Sequence, residues 1–270
     1  MVTKLTNYQK IFFLLLALLL ILIPVVALGL TGLVPGLSTL FRTNKPRDLG
    51  IKYTQEDLRS ARSKSQIDYL TLPDNPNSSA TRQFQGSRNV TSEFTAAEIT
   101  ATLNNRPWKH WPYKNVQIKF NADGSGEISG VLVKNKIPGY AFAIGIPEQA
   151  TTFAMKYLPT DPVFYVKMKA SLENNKVVIF EPEKLEIGRI PLPVKEFLAG
   201  HKIISSVHAV DFGEMTQELS KVDNKKALII SYINSRLSSA FGSFYAKRAY
   251  FAENKLVFDG TLPEKNSYTP

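Results

Sequence analysis

Val163-Phe164-Tyr165-Val166-Lys167-Met168-Lys169-Ala170-Ser171-Leu172 is followed, after Glu173-Asn174-Asn175, by Lys176-Val177-Val178-Ile179-Phe180-Glu181-Pro182-Glu183-Lys184-Leu185-Glu186-Ile187. Both arms are rich in β-branched and aromatic residues, and the cluster between them favours a turn, so the pair reads as a long hairpin. Two more hairpins flank it. Val116–Phe120 alternates apolar and polar residues, turns at Asn121-Ala122-Asp123-Gly124 and resumes at Glu127–Val133. Phe244–Phe251 and Lys255–Leu262 surround Glu253-Asn254. Three hairpins interleaved with helices define an α+β class with an antiparallel sheet. Such a sheet can keep one apolar face under a helix.

The helices announce themselves by their starts. Tyr53-Thr54-Gln55-Glu56-Asp57-Leu58 and Phe94-Thr95-Ala96-Ala97-Glu98-Ile99 share the order aromatic, Thr, two residues, acid, aliphatic. Threonine as N-cap with an acid three positions on is a capping box, and the flanking apolar pair is a hydrophobic staple. Helices are expected over 55–64 and 96–104. Pro147–Leu158 reads as a further helix, and Pro193–Ala199 as a short one closed by Gly200. Asn224–Phe241 is the best amphipathic segment, with Ile230, Ile233, Leu237 and Ala240 on one face. Leu72–Ser92, rich in Pro, Asn, Ser, Arg and Gln, reads as an exposed linker or long loop.

One stretch sets the address. Ile11 to Val34 carries no charged side chain. About twenty apolar residues at ~1.5 Å each cross a bilayer core. A signal peptide ending at Val25-Val26-Ala27 is the competing reading. The run continues well past Ala27, which favours an uncleaved, single-pass signal-anchor. The resulting layout is a tail at 1–10, the transmembrane segment at 11–34 and a stalk at 35–52. A helix with a polar linker at 53–93 precedes an α+β domain at 94–270, expected outside the cytoplasm.

Composition narrows the function without naming it. The 270 residues are 44% hydrophobic and 11% aromatic, which argues for a packed core. No cysteine is present, so disulfides, thiolate metal sites and a cysteine nucleophile are excluded. The formal net charge of +10 suits a domain held beside anionic lipid headgroups or anionic wall polymers. Basic residues are scattered without a nucleic-acid motif, so no nucleic-acid partner is expected.

No constellation identifies a reaction. His110, His201 and His208 are the only histidines. On a strand, the odd spacing of the last two puts them on opposite faces, so no metal site is expected. A Gly-x-Ser-x-Gly elbow and phosphate-cradling glycine loops are missing, and no cofactor or catalytic residue is assigned. The most unusual segment is Arg106-Pro107-Trp108-Lys109-His110-Trp111-Pro112-Tyr113-Lys114, which holds both tryptophans. It reads as a loop capping the core, as an interfacial contact or as a protein or glycan contact. In the second reading Trp108, Trp111 and Tyr113 sit at headgroup depth beside Lys109 and Lys114.

Three segments also carry a family resemblance. The Phe94–Ile99 start with Gly130-Val131-Leu132, the stretch Leu185-Glu186-Ile187-Gly188-Arg189-Ile190-Pro191-Leu192-Pro193-Val194, and Lys255-Leu256-Val257-Phe258-Asp259-Gly260-Thr261-Leu262-Pro263 resemble YpmS-like membrane-anchored envelope proteins of Gram-positive bacteria. A looser similarity extends to exported tubular lipid-binding domains of the bactericidal permeability-increasing kind. The resemblance implies an N-terminal transmembrane helix, then a curved antiparallel sheet packed on one or more helices around an apolar groove. It brings no catalytic residues. The expected function is a non-enzymatic envelope protein that binds lipid or another amphiphile. A scaffold for membrane or cell-wall enzymes, with envelope proteins as partners, is the alternative, and an envelope hydrolase a distant third.

Overall fold

The computed structural model describes residues 22, 25–26, 29–30, 35–74, 81–146, 148–158, 160–194, 224–239 and 243–270. Most of Ile11–Val34 lies outside them, as do His201, His208 and nearly all of Pro193–Ala199. Among the described residues no helix is long and apolar enough to cross a membrane.

Helices α1 (Pro35–Leu40) and α2 (Gln55–Ser65) precede strands β1 (Asp68–Thr71), β2 (Arg82–Gln85) and β3 (Arg88–Thr95). Then follow α3 (Ala96–Asn104), β4 (Tyr113–Phe120), β5 (Ser125–Leu132), α4 (Ile137–Ala143) and α5 (Glu148–Tyr157). The long hairpin is β6 (Val163–Glu173) with β7 (Lys176–Ile187), and β8 (Ile190–Leu192) folds back on it. Helix α6 (Lys225–Ser239) leads to β9 (Tyr245–Ala252), β10 (Lys255–Leu262) and β11 (Lys265–Tyr268). The class is α+β, as expected.

The eight-stranded antiparallel sheet is curved and runs β3-β10-β9-β6-β5-β4, with β7 and β8 branching from β6. Asn174 and Asn175 form the long hairpin's turn with φ of 49° and 61°, the left-handed pair that such turns require. Both capping boxes are present. The Thr54 and Thr95 hydroxyls accept from the N–H groups of Asp57 and Glu98, whose carboxylates bind back to the cap.

Edge strand β4 is closed by side chains of α3. The Asn104 amide donates to the Val116 carbonyl at 2.7 Å and accepts from its N–H at 2.9 Å. The Thr100 hydroxyl accepts from Ile118 N–H at 3.0 Å. A helix thus satisfies the strand's unpaired backbone, which otherwise invites edge association. At the opposite edge Val90, Phe94, Ala246 and Phe258 form the buried core, and Ile99 of α3 and Leu172 of β6 pack against it. Burial of each phenylalanine contributes about 1.5–3 kcal/mol. The register shift at Asp259/Gly260 depends on glycine, because a Cβ at Gly260 would collide with the Tyr245 carbonyl.

Three expectations are corrected. From Arg82 onward, Leu72–Ser92 is not a linker. Strand β2 pairs with β11, and β3 pairs with β10 along its whole length. Their polar side chains hide the pattern because β2 and most of β3 expose them. A boundary between residues 93 and 94 divides β3, so the segments 53–93 and 94–270 share one sheet. Nor is 35–52 a free stalk along its length. Arg47 grips Glu186 through two hydrogen bonds of 2.8 Å, and Leu49 and Ile51 donate to the Gln117 amide oxygen.

Candidate functional site

The segment Arg106–Lys114 enters β4 and brings its rings together with Tyr140 of α4, a residue the sequence pattern did not single out. Tyr140 lies 5.8 Å from Trp108, 5.9 Å from Trp111 and 5.6 Å from Tyr113, between ring centroids. The first pair is tilted and the other two are edge-on, and such contacts each add about 0.5–1.5 kcal/mol beyond burial. Trp108 is 3% exposed, and its indole N–H donates to the Thr81 hydroxyl. The Trp111 indole N–H donates to the Leu103 carbonyl at 2.7 Å. The headgroup reading of Trp108 is therefore corrected: its ring is spent on the core, as the capping-loop alternative requires. Lys109 and Lys114 leave the cluster and pair with Asp74 and Asp161 at 2.8 and 2.7 Å.

Beyond Tyr113 and Tyr140 lies an apolar cavity of about 300 Å³. It is walled by Leu132 of the sheet, by Ile137 and Ile144 of and beside α4, and by Met155 and Leu158 of and beside α5. Its volume reaches the lower end of the range for ligand sites, roughly 300–1,000 Å³. Burial pushes the Tyr113 hydroxyl well above the usual phenol range, and the neighbouring Tyr140 adds to it, so Tyr113 stays neutral there. Phe142 projects from the outer side of α4 with 71% of its surface exposed. Lys134 caps this region by donating to the Leu158 carbonyl. His110 stacks edge-on against Trp108, and burial lowers its pKa, with Lys109 and Lys136 contributing.

The two faces of the sheet divide by register. Directly paired residues share a face. Phe164, Val166 and Met168 stand opposite Gly130, Ile128 and Gly126 on the apolar side. Tyr165 and Lys167 stand opposite Ser129 and Glu127 on the polar side. There the Tyr165 hydroxyl donates to Glu127 at 2.7 Å, and the Arg47 guanidinium lies 4.8 Å from the Tyr165 ring centre. Burial opposes the ionised form of Glu186, but hydrogen bonds from Arg47 and Lys184 outweigh it and hold the carboxyl below its usual range. This network ties the chain's start to the sheet and does not assemble a nucleophile with a base. Among the described residues no group of three or more histidine or acidic side chains converges for a metal.

Against known proteins, the chain matches no family model, no curated protein and no solved structure. Sequence reasoning missed α4 and with it the cavity. The one available signal was Ile137-Pro138-Gly139-Tyr140, where proline early in a helix is a start mark. Gly139 is needed there because a Cβ would collide with the His110 ring.

Proposed function

We propose that this chain is a non-enzymatic envelope protein, anchored through Ile11–Val34, whose α+β domain holds the apolar part of a lipid or similar amphiphile. The cavity between α4, α5 and the sheet carries the proposal: about 300 Å³ lined almost wholly by apolar and aromatic side chains. An apolar space of this size gains from accepting hydrocarbon, since each CH₂ removed from water contributes about 0.8 kcal/mol. The uncharged run at 11–34, the charge of +10 and the resemblance to YpmS-like proteins support placement beside a bilayer.

Native mass spectrometry of the full chain released from mild detergent tests the ligand. A bound lipid mass is expected, as is uptake of added dioleoylphosphatidylglycerol. A chain that carries no lipid and takes none up sinks the reading. Sidedness is tested separately on the cysteine-free chain. Lys176→Cys, at the exposed tip of the long hairpin, should react with a membrane-impermeant maleimide in intact cells.

A further inference from the structure

On the other side of Trp108 from the cavity is a small pocket lined by three arginines, Arg62, Arg82 and Arg106, together with Asn266. They come from α2, from β2 and from the turn after α3. Each guanidinium lies near an aromatic ring: Arg62 5.6 Å from the centre of Tyr69, Arg82 5.4 Å from Trp108 and 4.4 Å from Phe84, Arg106 5.0 Å from Trp111. Ring contacts hold the planes while leaving donor edges free. Among the described residues none of the three makes an ion pair with a carboxylate. Arg82 gives one N–H to the Asn266 side-chain oxygen at 3.3 Å, and Arg106 Nε is buried without a partner. Buried donors left unmade are costly, and clustered like charges add to the cost. Burial and the charge of Arg106 bring Arg82 down to about 10. The interior space of about 20 Å³ exceeds what one water needs, and Arg62 stands exposed at its rim.

We infer that this pocket is a binding site for a phosphate group. Three guanidinium forks offer more donors than the two oxygens of a carboxylate can accept, whereas a phosphate presents three or four oxygens to them. Its charge offsets the uncompensated positive cluster, and Arg106 Nε gains an acceptor. The phosphate can be free or part of a lipid headgroup. The chemistry of the site is the same for both. It stands independently of the apolar cavity, so a chain that takes up no lipid can still bind here.

Isothermal titration calorimetry on the full chain in dodecyl maltoside, a detergent that carries no phosphate, tests it with two probes, inorganic phosphate and glycerophosphoglycerol, at constant ionic strength. Binding of at least one probe is expected. Tighter binding of the first assigns the site to free phosphate, and tighter binding of the second to a headgroup diester. Arg106→Gln should weaken binding about tenfold, and Arg62→Gln, at the solvent rim, should weaken it by less. Inorganic phosphate should also raise the unfolding temperature of the unaltered chain while sodium chloride of equal ionic strength does not. This measurement stands if an arginine variant fails to fold. Absence of binding by both probes, or undiminished binding by Arg106→Gln, overturns the assignment.

Discussion

Trp108 and Tyr140 stand with ring centroids 5.8 Å apart, and this pair of rings divides two sites of opposite character. Tyr140 lines the apolar cavity, and Trp108 lines the arginine pocket. Trp108 is buried, and Tyr140 also packs edge-on against Tyr113 at the start of β4.

Filling the cavity should abolish ligand without harming the fold. Ala154 lies on the cavity wall with its residue largely exposed, so a ring there enters the space at low packing cost. Ala154→Phe is expected to lose the bound lipid mass while its unfolding free energy, from urea titration, stays within about 1 kcal/mol of the parent. Retention of lipid by this variant would place the ligand elsewhere.

Closure of the β4 edge depends on Asn104 acting as donor and acceptor at once. Asn104→Ala should cost about 2 kcal/mol, because the Val116 N–H and carbonyl both lose a partner. Asn104→Asp is nearly the same size but cannot donate to the carbonyl when ionised. It should therefore not restore stability, as chemical denaturation can show.

Glu98 predicts an acid-sensitive fold. Its burial opposes ionisation, but donors from Lys64, Ser60 and Thr95 prevail and hold its pKa below the ordinary 4.5. A depressed folded-state pKa contributes stability that is present at neutral pH and lost as pH falls through that lower value. The unfolding midpoint should fall steeply on acidification below about pH 4.5. Glu98→Gln should lose about 1–3 kcal/mol at pH 7 and flatten that decline. An unchanged acid limb in the variant would assign the decline to other carboxylates, Glu186 first among them.

The long hairpin's turn should tolerate one change and resist the next. Asn174 is exposed, and Asn174→Gly should stay within about 0.5 kcal/mol of the parent. Asn175 is 6% exposed, and its amide donates to the Leu237 carbonyl and accepts from Ala246 N–H. Asn175→Ala loses both bonds at a left-handed position and should cost about 1–3 kcal/mol. Thermal unfolding of the two variants side by side checks the contrast.

Local chemistry was legible. The capping boxes at Thr54 and Thr95, the Asn174-Asn175 turn and the hairpin of β9 with β10 each join groups a few residues apart, so residue identity alone specifies them. Strands β1, β2 and β11 were not legible. They pair β1 with β11 and β11 with β2 across nearly the whole chain, and four-residue strands show too few residues for a period to emerge. The segment Arg106–Lys114 shows the same limit. Trp108 looks interfacial in sequence and becomes core only once Tyr140 and Thr81 close over it.

By itself, the sequence determined the class, the helix starts at Thr54 and Thr95, the hairpin turns and one uncharged run long enough to span a bilayer. Tertiary structure alone decided the two sites. Leu132, Tyr140 and Met155 line one apolar cavity, and Arg62, Arg82 and Arg106 share a pocket, only because distant segments are brought together. Turns and caps form from groups already adjacent along the chain. A cavity requires loops to close between residues far apart, and the entropy of that closure is met by burial summed over the whole core.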